Sequence, residues 1–344
     1  MAALSMAKGY QVSILGDGRI GQAVRYYFKK TPGIGKAEFL SDERSLKESH
    51  LLIGALPGEL GEKGLKLALK YRVPFLDISD IDPPFYIRQR KLISQKEILV
   101  MPGCGLCPGI VNFLLAQEIR ALPGQVQEVE ILAGSLSDRD HYFPFLWCFE
   151  DLINEHRIPS FQIISGEKRK FAPFAGYREE VYDGIQAESY YCASGFENIL
   201  DHVNVKTLVC RVVRPRGFRE FFLFLEGMGY LERENFLVSK EILEKRKESN
   251  YTLAEVRVHT RKEKVAWILK SHAHRAAPLN SMQMITASVA VTMGQLFLEK
   301  RIPQAGLVFL EDLCADPAVL PALMKGLKAR GVSVTRIKKG CRND

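Results

Sequence analysis

The chain has 344 residues, 47% hydrophobic and 26% charged, with a formal net charge of +8. The proportions are those of an ordinary soluble globular protein, and the length is about twice that of one domain, so two lobes are the default. No apolar run approaches the roughly 18–20 residues of a membrane helix, and the positive residues are scattered as solvated faces, so neither a membrane nor a nucleic-acid partner is expected.

In chain order, Gln11–Leu15 predicts a short strand running into the glycine loop Gly16–Asp17–Gly18–Arg19–Ile20–Gly21. Too few residues precede it for a secretory leader. A helix is predicted over Ile20–Lys30, stopped by Thr31–Pro32–Gly33. Strands follow at Ala37–Leu40 and Leu51–Leu56, the latter apolar throughout as in a parallel strand buried on both faces. Gly58–Tyr71 reads as a helix, Val73–Ile78 and Ile98–Met101 as strands. Pro108 starts a helix to Arg120, since proline at the first helical position forfeits only a donor that had no partner. This alternation predicts an α/β fold, a Rossmann-type doubly wound parallel sheet, in a dinucleotide-binding domain at residues 1–122.

After Leu122–Pro123–Gly124 the pattern changes. Val126–Leu132, Val203–Arg214 and Asn250–His259, with weaker runs at Phe161–Ile164 and Ala266–Lys270, predict a second α+β domain over 123–284, built on a mixed or antiparallel sheet. Ser281–Arg301 turns helical again. Gly306–Leu310, a helix from Asp316–Pro317 to Ala329, and Val332–Ile337 end the chain in β-α-β order, and residues 285–344 are expected to complete the first sheet.

A dinucleotide pyrophosphate needs backbone N–H groups aimed at it and no side chain in its way. Gly16, Gly18 and Gly21 have the required spacing, after an apolar strand and opening a helix. The acidic residue for the ribose hydroxyls is best matched by Asp42, which favours NAD, although Arg44 is near enough to grip the 2′-phosphate of NADP.

Seven cysteines, an odd number, read as reduced thiols of a cytoplasmic protein. Cys104 and Cys107 form a C-x-x-C without two further ligands at matching spacing, and His272 and His274 lie i, i+2, so no metal is expected. Cys104 instead lies at a strand-to-helix crossover, where it would touch substrate or nicotinamide. Asp77, Ser79 and Asp80 also stand at a strand's carboxyl end, where ligands of this architecture bind, with helix capping as the bland alternative. Arg211, Arg214 and Arg216 are candidates to clamp a carboxylate, or are simply solvent-facing.

The segments Leu51–Pro57, Leu76–Asp80 and Met101–Gly109 together resemble the saccharopine dehydrogenase-like oxidoreductases, and among these look most like the lysine 6-dehydrogenases. Ala55–Leu56–Pro57 is similar to a family strand end beside the cofactor, Asp77–Ile78–Ser79 to an Asp-x-Ser strand end, and Gly103, Cys104, Gly105, Pro108 and Gly109 to its Gly-Cys-Gly-x-x-Pro-Gly turn. Arg214–Phe218 looks like an Arg-Tyr-Pro-Gly-His strand end; Phe218 replaces its histidine, Phe143 a usual tyrosine and Met284 an arginine.

The resemblance implies an NAD(P)-dependent oxidoreductase acting on the C–N bond of an amino acid or related amine, and a homodimer formed through the second lobe. Ala55, Leu56, Pro57, Asp77 and Ile78 would join the glycine loop around the cofactor. Asp77 or His141 would handle the proton, and Ser79, Cys104 and Arg214 would meet the substrate, Arg214 at its carboxylate. The alternatives are reductive synthesis of a saccharopine- or carboxynorspermidine-like secondary amine, and a dinucleotide-binding sensor or scaffold without catalysis.

Overall fold

The computed structural model describes residues 9–79, 81, 83–122, 124–139, 141–192, 205–245 and 247–340. Asp80, Pro123 and the first two residues of the strand expected at Val203–Arg214 lie outside them.

The first lobe contains β1 (Tyr10–Leu15), α1 (Arg19–Phe28), β2 (Ile34–Phe39), β3 (Leu51–Gly54), α2 (Glu62–Tyr71), β4 (Phe75–Asp77), α3 (Pro83–Arg88), α4 (Arg90–Lys96), β5 (Leu99–Met101) and α5 (Ile110–Ala121). The strands form a wholly parallel sheet in the order β2, β1, β3, β4, β5, extended at the outer edge by Gly306–Leu307. Its apolar strands fill both faces because successive side chains alternate. Ile14, Leu51, Ile53, Leu76 and Met101 pack on one side with Val24 of α1 and Val111 of α5. Leu15, Leu52, Phe75 and Val100 pack on the other with Leu65 of α2, Tyr86 of α3 and Ile93 of α4. The strand order reverses between β1 and β3, and that switch point is where open α/β sheets bind ligands.

The second lobe contains β6 (Val126–Leu136), α6 (Phe149–Glu155), β7 (Ser160–Ile164), β8 (Glu167–Phe171), β9 (Arg178–Tyr182), β10 (Ile185–Tyr191), β11 (Thr207–Pro215), α7 (Phe218–Gly227), α8 (Phe236–Lys245), β12 (Asn250–Thr260) and β13 (Glu263–Ala273). There follow α9 (Ser281–Leu298), β14 (Gly306–Leu307), α10 (Val319–Ala329) and β15 (Val332–Gly340). A mixed nine-stranded sheet runs β15-β13-β12-β6-β11-β10-β9, with the hairpin β7–β8 joined to β11; β6 and β11 are parallel and the other pairs antiparallel.

Two expectations need correction. Of residues 285–344, β14 extends the first sheet, but β15 pairs with β13 in the second. Arg336 of β15 makes that choice, forking onto the buried Glu118 of α5 at 2.8 and 3.0 Å, which also accepts the Trp267 indole N–H at 2.7 Å. The second concerns α9, whose 18 residues do reach the length and mean hydropathy (1.2) of a membrane span. Gly294 cuts its apolar run. Of its residues 83% are buried within the protein, against α1, α10 and the second sheet.

Candidate functional site

A cleft of ≈470 Å³ opens between the lobes, over the carboxyl ends of the parallel strands. The first lobe lines it with Gly16–Ile20 after β1, Ala55–Pro57 after β3, Ile78 and Ser79 after β4, and Gly105–Pro108 after β5. The second lobe contributes Ala133 and Gly134 of β6, Trp147–Asp151, Glu155, Val212 and Arg214 of β11, and Lys240 and Glu244 of α8. Met282 and Thr286 of α9 complete the lining.

Gly16 and Gly21 sit where side chains are impossible. A Cβ on Gly16, at φ +114°, would lie 2.4 Å from the Ala55 carbonyl oxygen, so the glycine loop touches the β3 end directly. A Cβ on Gly21 would lie 2.0 Å from the Gly16 oxygen; this glycine lets helix pack on loop and does not itself line the cleft. Gly18 caps α1 with nothing within 4 Å of its Cβ position. No side chain caps that helix, and its first turn carries no acidic residue. Unoccupied N–H groups, an open approach and a favourable dipole are what a pyrophosphate requires, so the loop fits a dinucleotide.

Other predicted residues are placed differently. Asp42 lies outside the cleft lining: it caps a 3₁₀ turn, accepting from the Arg44 N–H at 2.9 Å and pairing with the Arg44 guanidinium at 3.0 Å. Asp77 is fully buried behind Ser79, its carboxylate accepting from the Ser79 and Tyr86 hydroxyls and from the Ser79 N–H at 3.2 Å. Burial raises its pKa to about 6 against those hydrogen bonds. His141 is exposed in a turn away from the cleft. Neither proton-handling candidate therefore faces a ligand there. Cys104 is buried, its thiol donating to the Met101 carbonyl at 3.3 Å and its backbone N–H to the Asp77 carbonyl at 2.8 Å; Cys107, later in the same turn, lines the cleft instead. Ser79 and Ile78 do line it, as do Ala55, Leu56 and Pro57.

Arg214 lines the cleft while only 2% exposed. Its guanidinium lies over Trp147 at 5.0 Å and Phe218 at 5.6 Å, a cation–π setting. One terminal nitrogen donates to Glu155 at 2.9 Å and the other to the Val213 carbonyl at 3.2 Å, leaving Nε without a partner. Burial pushes the Glu155 carboxyl up while Arg214 pulls it down. Phe143 and Phe218 meet edge to face at 5.7 Å in the aromatic cluster beneath this pair. Arg211 is buried on the sheet's other face, with Ser189 and Gly176, and Arg216 is exposed beside Glu179.

Of the remaining second-lobe lining, Trp147–Asp151 falls in the segment Trp147–Ile153 that resembles a family turn into a helix, and no sequence feature singled out Glu155, Lys240 or Glu244. Lys240 pairs with Glu150 at 2.7 Å. Arg19, from the glycine loop, reaches across to the Phe145 carbonyl and to Glu244, 3.5 Å away. Burial raises the Cys148 thiol to about 12. The available signals were the i, i+4 pairs Asp151/Glu155 and Lys240/Glu244, each of which puts two charges on one helix face.

In sequence, neither a family model nor a curated protein matches the chain. In structure, it is similar to the apo histidine-tagged saccharopine dehydrogenase (L-Glu forming) of Saccharomyces cerevisiae, with a TM-score of 0.77 and 16% identity, covering 96% of this chain and 100% of that one. An engineered D-amino acid dehydrogenase bound to NADP+ gives 0.47 and 14% over 92% and 99%, and the C. glutamicum DAP dehydrogenase 0.46 and 14% over 93% and 99%. The first likeness shows that the chain has a Rossmann-type fold. More narrowly, it has the fold of a saccharopine dehydrogenase, which meets the resemblance read from Met101–Gly109; the narrower likeness to lysine 6-dehydrogenase gains no support.

Proposed function

We propose that the chain is an NAD(P)-dependent oxidoreductase that acts on the C–N bond of an amino acid. The observation that carries this reading is the unpartnered Nε donor of the buried Arg214, in a cleft whose opposite wall is the glycine loop. A carboxylate-bearing substrate and a dinucleotide then share one cleft. The dinucleotide, when bound, supplies a nicotinamide that accepts or returns a hydride. Gly16–Gly21 hold its pyrophosphate, and Ala55–Pro57, Ile78 and Ser79 flank the space beyond. Arg214, fixed by Glu155 and two aromatic rings, orients the substrate carboxylate. Leu106, Trp147 and Val212 exclude water. Reductive synthesis of a secondary amine uses the same residues in reverse.

The test is to incubate the protein with NAD or NADP and a panel of lysine, saccharopine and polyamine precursors, following absorbance of the reduced cofactor. Turnover is expected on at least one carboxylate-bearing amine, and none on any would sink the substrate reading. A dinucleotide sensor without catalysis is the second reading, favoured by the apolar Phe143–Phe218 contact where the resemblance leads one to expect tyrosine and histidine. Tight dinucleotide binding without turnover would select it.

A further inference from the structure

Five carboxylates line the cleft: Asp17, Glu150, Asp151, Glu155 and Glu244. Three have a basic partner, Glu150 in Lys240, Glu155 in Arg214 and Glu244 in Arg19. Asp17 is exposed in the glycine loop, on the pyrophosphate side. Asp151 is half-buried, and no basic side chain pairs with it among the described residues. The Gly58 backbone and the Cys148 thiol, which donates to Glu150 at 3.4 Å, lie beside it, and a Cβ on Gly58 would lie 3.3 Å from its Oδ1. Gly58 follows Pro57 at the end of β3, beside the switch point, so Asp151 is a second-lobe carboxylate seated on the carboxyl edge of the dinucleotide sheet.

We propose that Asp151 takes the proton from the substrate's amine, a role that rests on the amine-oxidising reading above. The amine reaches the site as an ammonium. The Asp151 carboxylate accepts one N–H proton, and the freed lone pair forms the C=N bond as the neighbouring carbon gives up its hydride. The proton resides on Asp151, the hydride with its electron pair on the nicotinamide, and the substrate leaves as an iminium. Paired carboxylates serve this step poorly, because an adjacent cation lowers their proton affinity. Burial, with Glu150 beside it, holds the Asp151 carboxyl above the usual aspartate range. The groups facing it are Cys148, Glu150 and Glu155 from its own segment, Lys240 of α8 through Glu150, and the Gly58 backbone.

The test uses the full chain with L-saccharopine as probe. Asp151→Asn keeps the size and shape of the side chain beside Gly58, so dinucleotide affinity should hold while kcat falls about 10²–10⁴-fold, as for loss of a general base. The acidic limb of the kcat/KM profile should vanish. Without cofactor, calorimetric L-saccharopine affinity should rise with pH through the Asp151 titration in the wild type and stay flat in the variant. Asp151→Glu, which keeps the acceptor, should stay within about tenfold of wild type. A wild-type rate and limb in Asp151→Asn, or equal losses in both variants, overturns the role and leaves the oxidoreductase reading standing. No turnover by the wild-type chain on any amine overturns both.

Discussion

The two walls of the cleft are made of different material. The first-lobe wall is largely backbone, shaped by Gly16, whose place no side chain could fill, and by Gly18, whose Cβ position opens onto the cleft. The second-lobe wall is largely side chain, and its charges come in pairs: Glu155 with Arg214, Glu150 with Lys240, and Glu244 with an arginine from the opposite lobe. A backbone wall suits a ligand part that many chemistries share, because N–H groups and a helix terminus recognise phosphate whatever else is bound. A charged wall must be paired to survive burial. Whatever distinguishes this protein's substrate is therefore read by the charges left over after pairing.

The largest effect should come from disturbing the backbone wall. Gly21→Ala places a Cβ 2.0 Å from the Gly16 oxygen, so α1 must lift from the loop. Overpacking of this kind costs roughly 1–3 kcal/mol or more, and dinucleotide binding should be lost with it. Gly18→Ala meets nothing within 4 Å and sits at φ −63°, ψ −175°, which any residue adopts. Its Tm should stay put while dinucleotide affinity drops at least about 100-fold, because the methyl occupies the phosphate's approach. Thermal melts and calorimetry on both variants separate a glycine needed by the fold from one needed by the ligand. Equal binding by Gly18→Ala and wild type would remove the loop from the site.

Pairing in the other wall is tested by Arg214→Met. Removing one partner of a buried pair costs about 3–5 kcal/mol, mostly because the other charge is stranded. Glu155→Gln in the same chain should recover a large part of that loss in denaturant melts without restoring turnover. If the double variant is no more stable than Arg214→Met, the pair does not hold the wall.

The same contrast explains what was legible in the sequence. Gly16, Gly18 and Gly21 announced their wall because backbone requirements leave a spacing behind, and the apolar runs at Leu51–Ile53 and Leu99–Met101 announced the sheet. Trp147, Glu155, Arg214 and Lys240 are brought together by β11, α6 and α8 from separate parts of the chain, and no local pattern encodes that meeting. Asp77 misled for the opposite reason. A carboxylate at a strand end reads as functional, yet Tyr86, nine residues on, takes it into the core. The turn at Cys104–Pro108 was correctly located, but which cysteine faces the cleft depended on the Asp77 carbonyl claiming the Cys104 N–H.

The smallest expected effect lies at the edge of the backbone wall, where a side chain has to choose between NAD and NADP. Asp42 and Arg44 are both exposed and bonded to each other, an acid suited to ribose hydroxyls beside a cation suited to a 2′-phosphate. An exposed pair of this kind is weakly held, so a cofactor can compete for either member. Asp42→Ser keeps a hydroxyl to cap the turn at Glu43–Glu48, so stability should not move. It also releases Arg44 and deletes the ribose acceptor, so the ratio of NADP to NAD affinity should rise about tenfold in paired calorimetric titrations. An unchanged ratio would mean that neither group reads the ribose, and that even this corner of the site is recognised by backbone alone.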